Sequence, residues 1–463
     1  MTQRLCRGLP GTPETAAPVR IVHLGVGNFH RAHQAWYTQH APDAADWGIA
    51  AFTGRRPDQA EALAPQGGLY ALITKGPEGD EVEIISAIVA VHAASEHETY
   101  LAYLAKPSTA VVSMTVTEHG YCRDADGHLD TAAEDVAADV AALRQDPRAV
   151  VTSMPMRLLA GLLARREADA GALTILPCDN LPDNGDVTRT LVLDAARAVD
   201  ETLVGWVEEN VEFATSMVDR ITPATTEDDR ELVRERTGYV DASPVPTEPF
   251  AEWVVSGQFP AGRPAWEQAG VQFVADVAPH ERRKLWLLNG SHSQLAYVGS
   301  VRGHETIDAA IADPACRAWV EQFWDEAQRG LGLPDEEVAA YRAALLDRYA
   351  NPRVRHLLAQ IAMDGSQKLP VRTLPAVNAE RAAGRVPTGG ATTLAGWVLH
   401  LRGVGAPVND AGAGPAQEAA NAGPVADVVP AVLETLQPGL GDDTELVAAV
   451  VAQAEAIPLP QGH

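Results

Sequence analysis

Cysteine is scarce and dispersed. Four occur, at positions 6, 122, 178 and 316, and no two are spaced as CxxC. That scatter argues against a disulfide framework or a zinc ribbon and suits a reducing compartment. No HExxH pair, clustered Cys/His set or GxSxG elbow appears, so zinc-hydrolase and serine-hydrolase chemistry have no motif to rest on. No metal is expected. Basic residues are also short, with 36 Lys and Arg against 62 Asp and Glu, a formal charge of −26. A surface that acidic repels nucleic acid and anionic membranes, which leaves small molecules as the expected partners. No run of about 18 apolar residues occurs, so no membrane span is expected. The lead MTQRLCRGLPGTPETAAPVR has no apolar core of signal-peptide length. The expectation is a soluble, cytoplasmic protein, without internal repeats.

What is present is an ordinary globular composition, 46% hydrophobic and 21% charged over 463 residues. At roughly 150 residues per domain that allows two or three domains. Residues 20–24 (RIVHL) form a β-rich run that ends in Gly25-Val26-Gly27-Asn28-Phe29-His30, and a helical pattern follows. Further strands are predicted at 49–53, 82–91, 110–116 and 173–177, separated by helical patterns such as 96–105 and 132–144. Strands alternating with helices predict a mostly parallel, helix-covered sheet. From 276 the texture changes. Segments 280–298, 306–330, 335–348, 352–363 and 391–402 carry helix-period apolar spacing, which predicts an all-helical second domain. Residues 403–427, rich in Gly, Ala and Pro, read as a mobile loop.

Three places could hold chemistry. Gly25 and Gly27 after a strand would permit a tight bend and close approach of a pyrophosphate, but the third glycine of GxGxxG is His30. An ordinary tight turn is the alternative, and the strand–turn–helix context favours the dinucleotide. The second place is Glu281 to Ser293. At about 100° per residue, Glu281, Lys284, Asn289 and His292 fall within an arc of about 140°. An acid, an amine, an amide and an imidazole on one face suit proton transfer beside a carbonyl, since a desolvated lysine can serve as general base. Spacing alone favours a plain solvated face. The third place is Pro177 to Gly185, polar residues where α/β proteins bind ligands, although Asn, Asp, Pro and Gly also make turns. Asp219-Arg220 and Asp364 to Pro370 read the same way. His30, His33 and His119 read as ordinary polar helix or loop residues.

Taken in order, IVHLGVGNFHRAHQAWY, TVTEHGY, PCDNLPDNG, MVDRITP, EPFAEWVVSGQFPAGRPAWEQAGVQFV, KLWLLNGSHSQLAY and MDGSQKLPVR resemble the long-chain polyol dehydrogenases, the family of mannitol 2-dehydrogenase, fructuronate reductase and arabinitol dehydrogenase. The resemblance spans residues 20–375, and its KxxxxNxxH segment is specific. It implies an α/β N-terminal Rossmann-type dinucleotide-binding domain (1–275) and an all-helical C-terminal domain (276–463) carrying substrate and catalytic groups, with the site in the cleft between them. It also implies metal-independent hydride transfer with NAD(H) or NADP(H). Lys284 then matches the general base, Asn289, His292 and Asn180 the groups on the reacting oxygen, and Glu281 the acid that relays protons to the lysine. Asp219 and Lys368 match substrate contacts. Gly25, Gly27, Asn28 and Phe29 would hold the dinucleotide. Asp58 would select NAD through the ribose hydroxyls, while Arg55-Arg56 leaves NADP as the alternative. The expected substrate is a polyol, ketose or sugar acid. Mannitol/fructose is the first reading, mannonate/fructuronate or mannitol 1-phosphate the alternatives, and a catalytically silent dinucleotide sensor the reading of another class. A monomer or dimer is expected.

Overall fold

Six short strands make the main sheet: Val19–Leu24 (β1), Gly48–Phe52 (β2), Ile88–His92 (β3), Val111–Met114 (β4), Leu173–Pro177 (β5) and Val211–Phe213 (β6). They run in the order β3-β2-β1-β4-β5-β6, every neighbour parallel. β2, β4 and β5 are buried throughout, whereas the edge strands β3 and β6 are partly open. Near-continuous apolar runs are what a parallel strand covered by helices on both faces requires. The register aligns Leu24 with Phe52 and Met114, and Met114 with Pro177. The loops that follow these four residues therefore share one edge. The strand order reverses between β1 and β4, and a crevice opens there.

The computed structural model describes residues 3–459, so the outermost ends of the two expected domains, 1–2 and 460–463, lie outside the described residues. The chain forms two compact units, Met1–Ala278 and Pro279–His463. Three further small sheets belong to the first. One of them corrects the strand expected at 82–91. Gly79–Ile85 folds back antiparallel on Tyr70–Gly76, and the chain joins the main sheet only from Ile88. The polar-apolar alternation of EVEII suits a partly exposed hairpin, and the apolar IVAV suits the larger sheet.

The second unit is helical. Thr388–Leu401 is buried from Gly389 to its end and packs against Pro314–Ala327 and Thr444–Ala456. The helix expected over 306–330 breaks at Asp313, whose side chain caps the next helix by accepting from the Ala315 amide at 2.9 Å. Within 352–363 only Leu358–Ile361 is α-helical. Nor is 403–427 one mobile loop. It contains the helix Gly414–Ala420 and the start of Val425–Leu436. Pro415 lies in the first turn of one and Pro424 stands at the N-cap of the other, where a missing amide hydrogen costs nothing. The stretch before them is tied down by Asp410, which accepts from the Ser366 amide and hydroxyl, both at 2.6 Å. No described helix is long and apolar enough to cross a membrane.

Candidate active site

The turn after β1 is shaped by its first glycine. Gly25 has φ +100°, and a Cβ there would stand 2.2 Å from the Thr115 carbonyl oxygen. The bend is held from both sides: the amides of Gly25 and Val26 donate to the Phe52 carbonyl at 2.9 and 3.1 Å, and the Thr115 hydroxyl donates to the Gly25 carbonyl at 2.7 Å. Gly27 is extended, and the nearest atom to a Cβ there is 3.8 Å away, so its face is open to a ligand. The following helix runs from Asn28 to Ala32, breaks at His33 and resumes at Gln34. Asn28 accepts from Arg31 Nη2 at 2.7 Å. A cavity of about 610 Å³ lies at this sheet edge, lined by Gly25, Gly27, Asn28 and Phe29, by Thr115 to His119 after β4, by Cys178 to Leu181 after β5, and by Val218. Asp58 is not part of that lining. It starts the helix Asp58–Leu63, exposed, 3.6 Å from Arg56.

His30, in the third-glycine position, is not an ordinary polar helix residue. It is fully buried, as are His23 and His33, and stacks on the His23 ring of β1. His23 contacts the hydroxyls of Ser113 and Thr115 at 2.9 and 3.2 Å. Burial lowers its pKa to about 3, and burial first, then the neighbouring His23, holds His30 well below the ordinary histidine value.

Asn180 stands on the cavity rim, in the loop after β5. Its neighbour Asp179 accepts from the Tyr121 hydroxyl and from the Leu181 amide. Desolvation raises Asp179 to about 6. Asp219 ends the strand Thr215–Asp219, opposite Glu252, and is buried.

In the second unit Glu281, Lys284, Asn289 and His292 share one helical run. Ala278–Arg283 and Ser291–Gln294 are α-helical, but Lys284–Gly290 and Leu295–Gly299 are π-helical. The expectation of one α-helical face needs correction here. At α spacing Lys284 and Asn289 mark the two ends of the arc, about 140° apart. A π turn closes between residues five apart, and these two are five apart, so it brings them one above the other. The wide turn is supported from outside: Leu287 O accepts from Trp324 Nε1 at 2.9 Å and Leu288 O from the Tyr349 hydroxyl at 3.1 Å. Gly290 is required by packing, because a Cβ there would meet the Phe323 ring at 2.7 Å. Lys284 and Asn289 are half-buried, while His292 is buried between Tyr349 and His356, ring centroids 4.9 and 5.3 Å away. Lys368 donates to the carbonyls of Ile361 and Met363 at 3.3 and 2.5 Å, and burial together with Arg372 lowers its pKa. Among the described residues one trio, His304, Asp313 and Cys316, brings its donor atoms within 4.8 Å of one another. Arg302 already pairs with Asp313 at 2.6 Å, and no expected site residue belongs to the trio.

Of the expected residues, Gly25, Gly27, Asn28, Phe29 and Asn180 line the cavity of the first unit, Asp58 and Asp219 belong to that unit but not to the lining, and Glu281, Lys284, Asn289, His292 and Lys368 lie on helices of the second. Sequence reasoning left Thr115, Glu118, His119 and Asp179 without a role. Their signal was the position of TVTEHGY after β4, which neighbours β1, and of PCDN at the end of β5, which neighbours β4, legible only once the strand order is known.

The comparisons agree with this architecture. A family model described as the mannitol dehydrogenase Rossmann domain matches residues 19–268, and one for the mannitol dehydrogenase C-terminal domain matches 276–458. The D-mannonate oxidoreductase of Escherichia coli (strain K12) is 41% identical over 395 residues, 83% of this chain and 80% of the relative. The mannitol 2-dehydrogenase of Cereibacter sphaeroides is 37% identical over 414 residues, 87% and 84%. The solved ternary complex of Pseudomonas fluorescens mannitol 2-dehydrogenase with NAD and D-mannitol matches with a TM-score of 0.77 and 32% identity, covering 98% of this chain and 94% of that one. A D-sorbitol dehydrogenase in substrate-free form reaches 0.87 at 30% identity, covering 98% and 97%.

Proposed function

Since the chain belongs to the mannitol dehydrogenase family, we propose that it is a metal-independent, NAD-dependent dehydrogenase interconverting a secondary hydroxyl of an acyclic polyol and the ketone of a ketose, mannitol/fructose being the first candidate pair. The π turn carries this reading. It sets an amine and an amide, the half-buried Lys284 and Asn289, one above the other on a largely buried helix, as a base and an oxyanion donor need to be.

The cavity of the first unit fits a dinucleotide. The Gly25 bend and the open face of Gly27 leave room for phosphates against the backbone, Asn28 and Phe29 line the same wall, and Asp58 would receive the ribose hydroxyls. Bound there, the nicotinamide supplies hydride exchange. The protein's own part is proton and charge handling. In oxidation Lys284 as free amine takes the hydroxyl proton, and Glu281 relays it onward. Asn180 and Asn289 donate hydrogen bonds to the oxygen as its charge develops. His292 orients that hydroxyl, and Asp219 and Lys368 hold others. Reduction reverses the path, with Lys284 as ammonium.

The 41% identity to a D-mannonate oxidoreductase favours mannonate/fructuronate as a second reading. A carboxylate substrate needs an extra cation, and Lys368 and Arg372 are the nearest candidates in sequence. Assaying the purified protein with NAD⁺ and NADP⁺ on D-mannitol, D-sorbitol, D-arabinitol and D-mannonate decides between them. Fastest turnover of a polyol with NAD⁺ is expected. Faster turnover of D-mannonate installs the second reading, and dinucleotide binding without turnover of any compound leaves only a sensor.

A further inference from the structure

One polar pair, of which Asp179 lines the cavity and Tyr121 lies buried behind it, has no part in that chemistry. Tyr121 closes the one-turn segment Glu118–Tyr121 after β4, and Asp179 follows β5. The hydrogen bond from the Tyr121 hydroxyl to Asp179 Oδ2 therefore ties two neighbouring strand ends together. The other carboxylate oxygen accepts from the Leu181 amide at 3.1 Å, closing an Asx turn over Asn180. Asn184 braces the same loop, donating to the Asp179 carbonyl at 3.4 Å and to the Ser216 carbonyl at 2.9 Å. Tyr121 is fully buried and belongs to the same apolar cluster as Leu181. Asn180 is thus the residue between an anchored carboxylate and an anchored amide.

A turn alone does not need this carboxylate, because asparagine closes an Asx turn equally well. The charge is costly here. Desolvation raises Asp179 to about 6, against the bonds from Tyr121, Leu181 and Asn184, and Glu118 adds to the rise. Burial pushes the adjacent Cys178 thiol and the Tyr121 phenol upward as well. A group kept at a cost to stability belongs to function more readily than to scaffolding.

We propose that Asp179 and Tyr121 form a positioning pair that fixes the orientation of Asn180 toward the reacting oxygen. The inference rests on the role given to Asn180 under the proposed function. Tyr121 and Leu181 both act as donors, so the pair works when both carboxylate oxygens accept. Protonation puts a hydrogen on one oxygen and weakens its acceptance from the donor that faces it.

Reduction of D-fructose by NADH, or of D-fructuronate if the parent prefers it, is the direction to measure. A lysine proton donor loses activity there only on the alkaline side, so an acid limb reports another group. The parent's kcat is expected to fall on the acid side with a midpoint near 6. Tyr121→Phe removes a bond that favours the anion and should move that midpoint upward. Asp179→Asn should abolish the limb and lower kcat by about tenfold or more, as a misaimed donor does, with NADH affinity retained. Its melting temperature should rise on the alkaline side of the midpoint, where the buried charge is gone. A purely structural aspartate predicts the reverse: a lower melting temperature and an unmoved limb. Asn180→Ala separates the two levels of inference. If it keeps the parent's kcat, the role of Asn180 falls and the positioning pair with it. If it loses kcat and Asp179→Asn then multiplies the loss, Asn180 stands and the pair is refuted. No further loss in the double variant is the result expected. Should Asp179→Asn not fold, the Tyr121→Phe profile decides, and an unmoved midpoint overturns the proposal.

Discussion

The imidazole rings of His23 and His30 lie 3.3 Å apart between centroids and within 10° of parallel. A dinucleotide-binding turn commonly places a glycine at the third position of its fingerprint so that helix and strand can approach; here two flat neutral rings fill the gap. The stack is coupled to the turn above it, because Thr115 contacts His23 with its hydroxyl and bonds the Gly25 carbonyl with the same group.

That stack makes the first unit acid-sensitive. Both histidines have folded pKa values below the ordinary one, so the unfolded chain binds more protons once pH drops below about 6.5. The stability they contribute is present above that value and is lost as pH falls toward about 3. Calorimetric melting across this range should show the decline, and His30→Phe, which keeps a ring but cannot titrate, should flatten it. A parent profile that is already flat would refute the account.

The two glycines of the turn should respond differently to alanine. Gly25→Ala meets both a left-handed φ and a 2.2 Å contact, and should destabilise by roughly 2–4 kcal/mol while abolishing NADH binding. Gly27→Ala has space and should melt like the parent yet bind NADH more weakly. Fluorescence titration and melting separate the cases, and an unaffected NADH affinity in Gly27→Ala would remove the phosphates from that face.

Lys284→Ala should lose turnover in both directions while still binding NADH. Asn289→Ala, which removes a neutral donor, should lower kcat by about 10²–10³ without moving the pH midpoint of oxidation. Steady-state rates across pH check both, and a shifted midpoint in Asn289→Ala would mean that the amide and the base do not divide the work in this way.

Prolonged chelation should leave turnover intact, because the closest trio of donors is engaged with Arg302 and includes none of the residues assigned to catalysis. Loss of activity restored by zinc is the outcome that would sink this.

The central sheet was legible because β1, β2, β4 and β5 are apolar runs that stop at turn residues, and the helical half because its apolar spacing repeats. The hairpin at Gly79–Ile85 was not, since the passage from alternating EVEII to apolar IVAV falls inside one β-rich run with no glycine or proline to divide it. Composition hid the helix Gly414–Ala420. Apolar spacing over seven residues cannot tell a π turn from an α turn, so the facing of Lys284 and Asn289 came out too wide. The motif containing Lys284 was readable through resemblance. Asp179 and Tyr121 were not, because only strand order shows that their loops are neighbours.

Each wide turn in the run from Lys284 to Gly299 holds one residue more than an α turn, and this bears on insertions and deletions. Removing one residue between Leu285 and Leu288 lets the segment relax to α spacing, with the lysine and the asparagine now four apart and still aligned. Only the outside support from Trp324 and Tyr349 is disturbed. Removing Ser291, in the α-helical stretch Ser291–Gln294, swings the imidazole by about 100°, and α spacing there has no extra residue to give up. The segment is therefore forgiving of length in its first half and strict in its second, an asymmetry that a scan of point substitutions passes over.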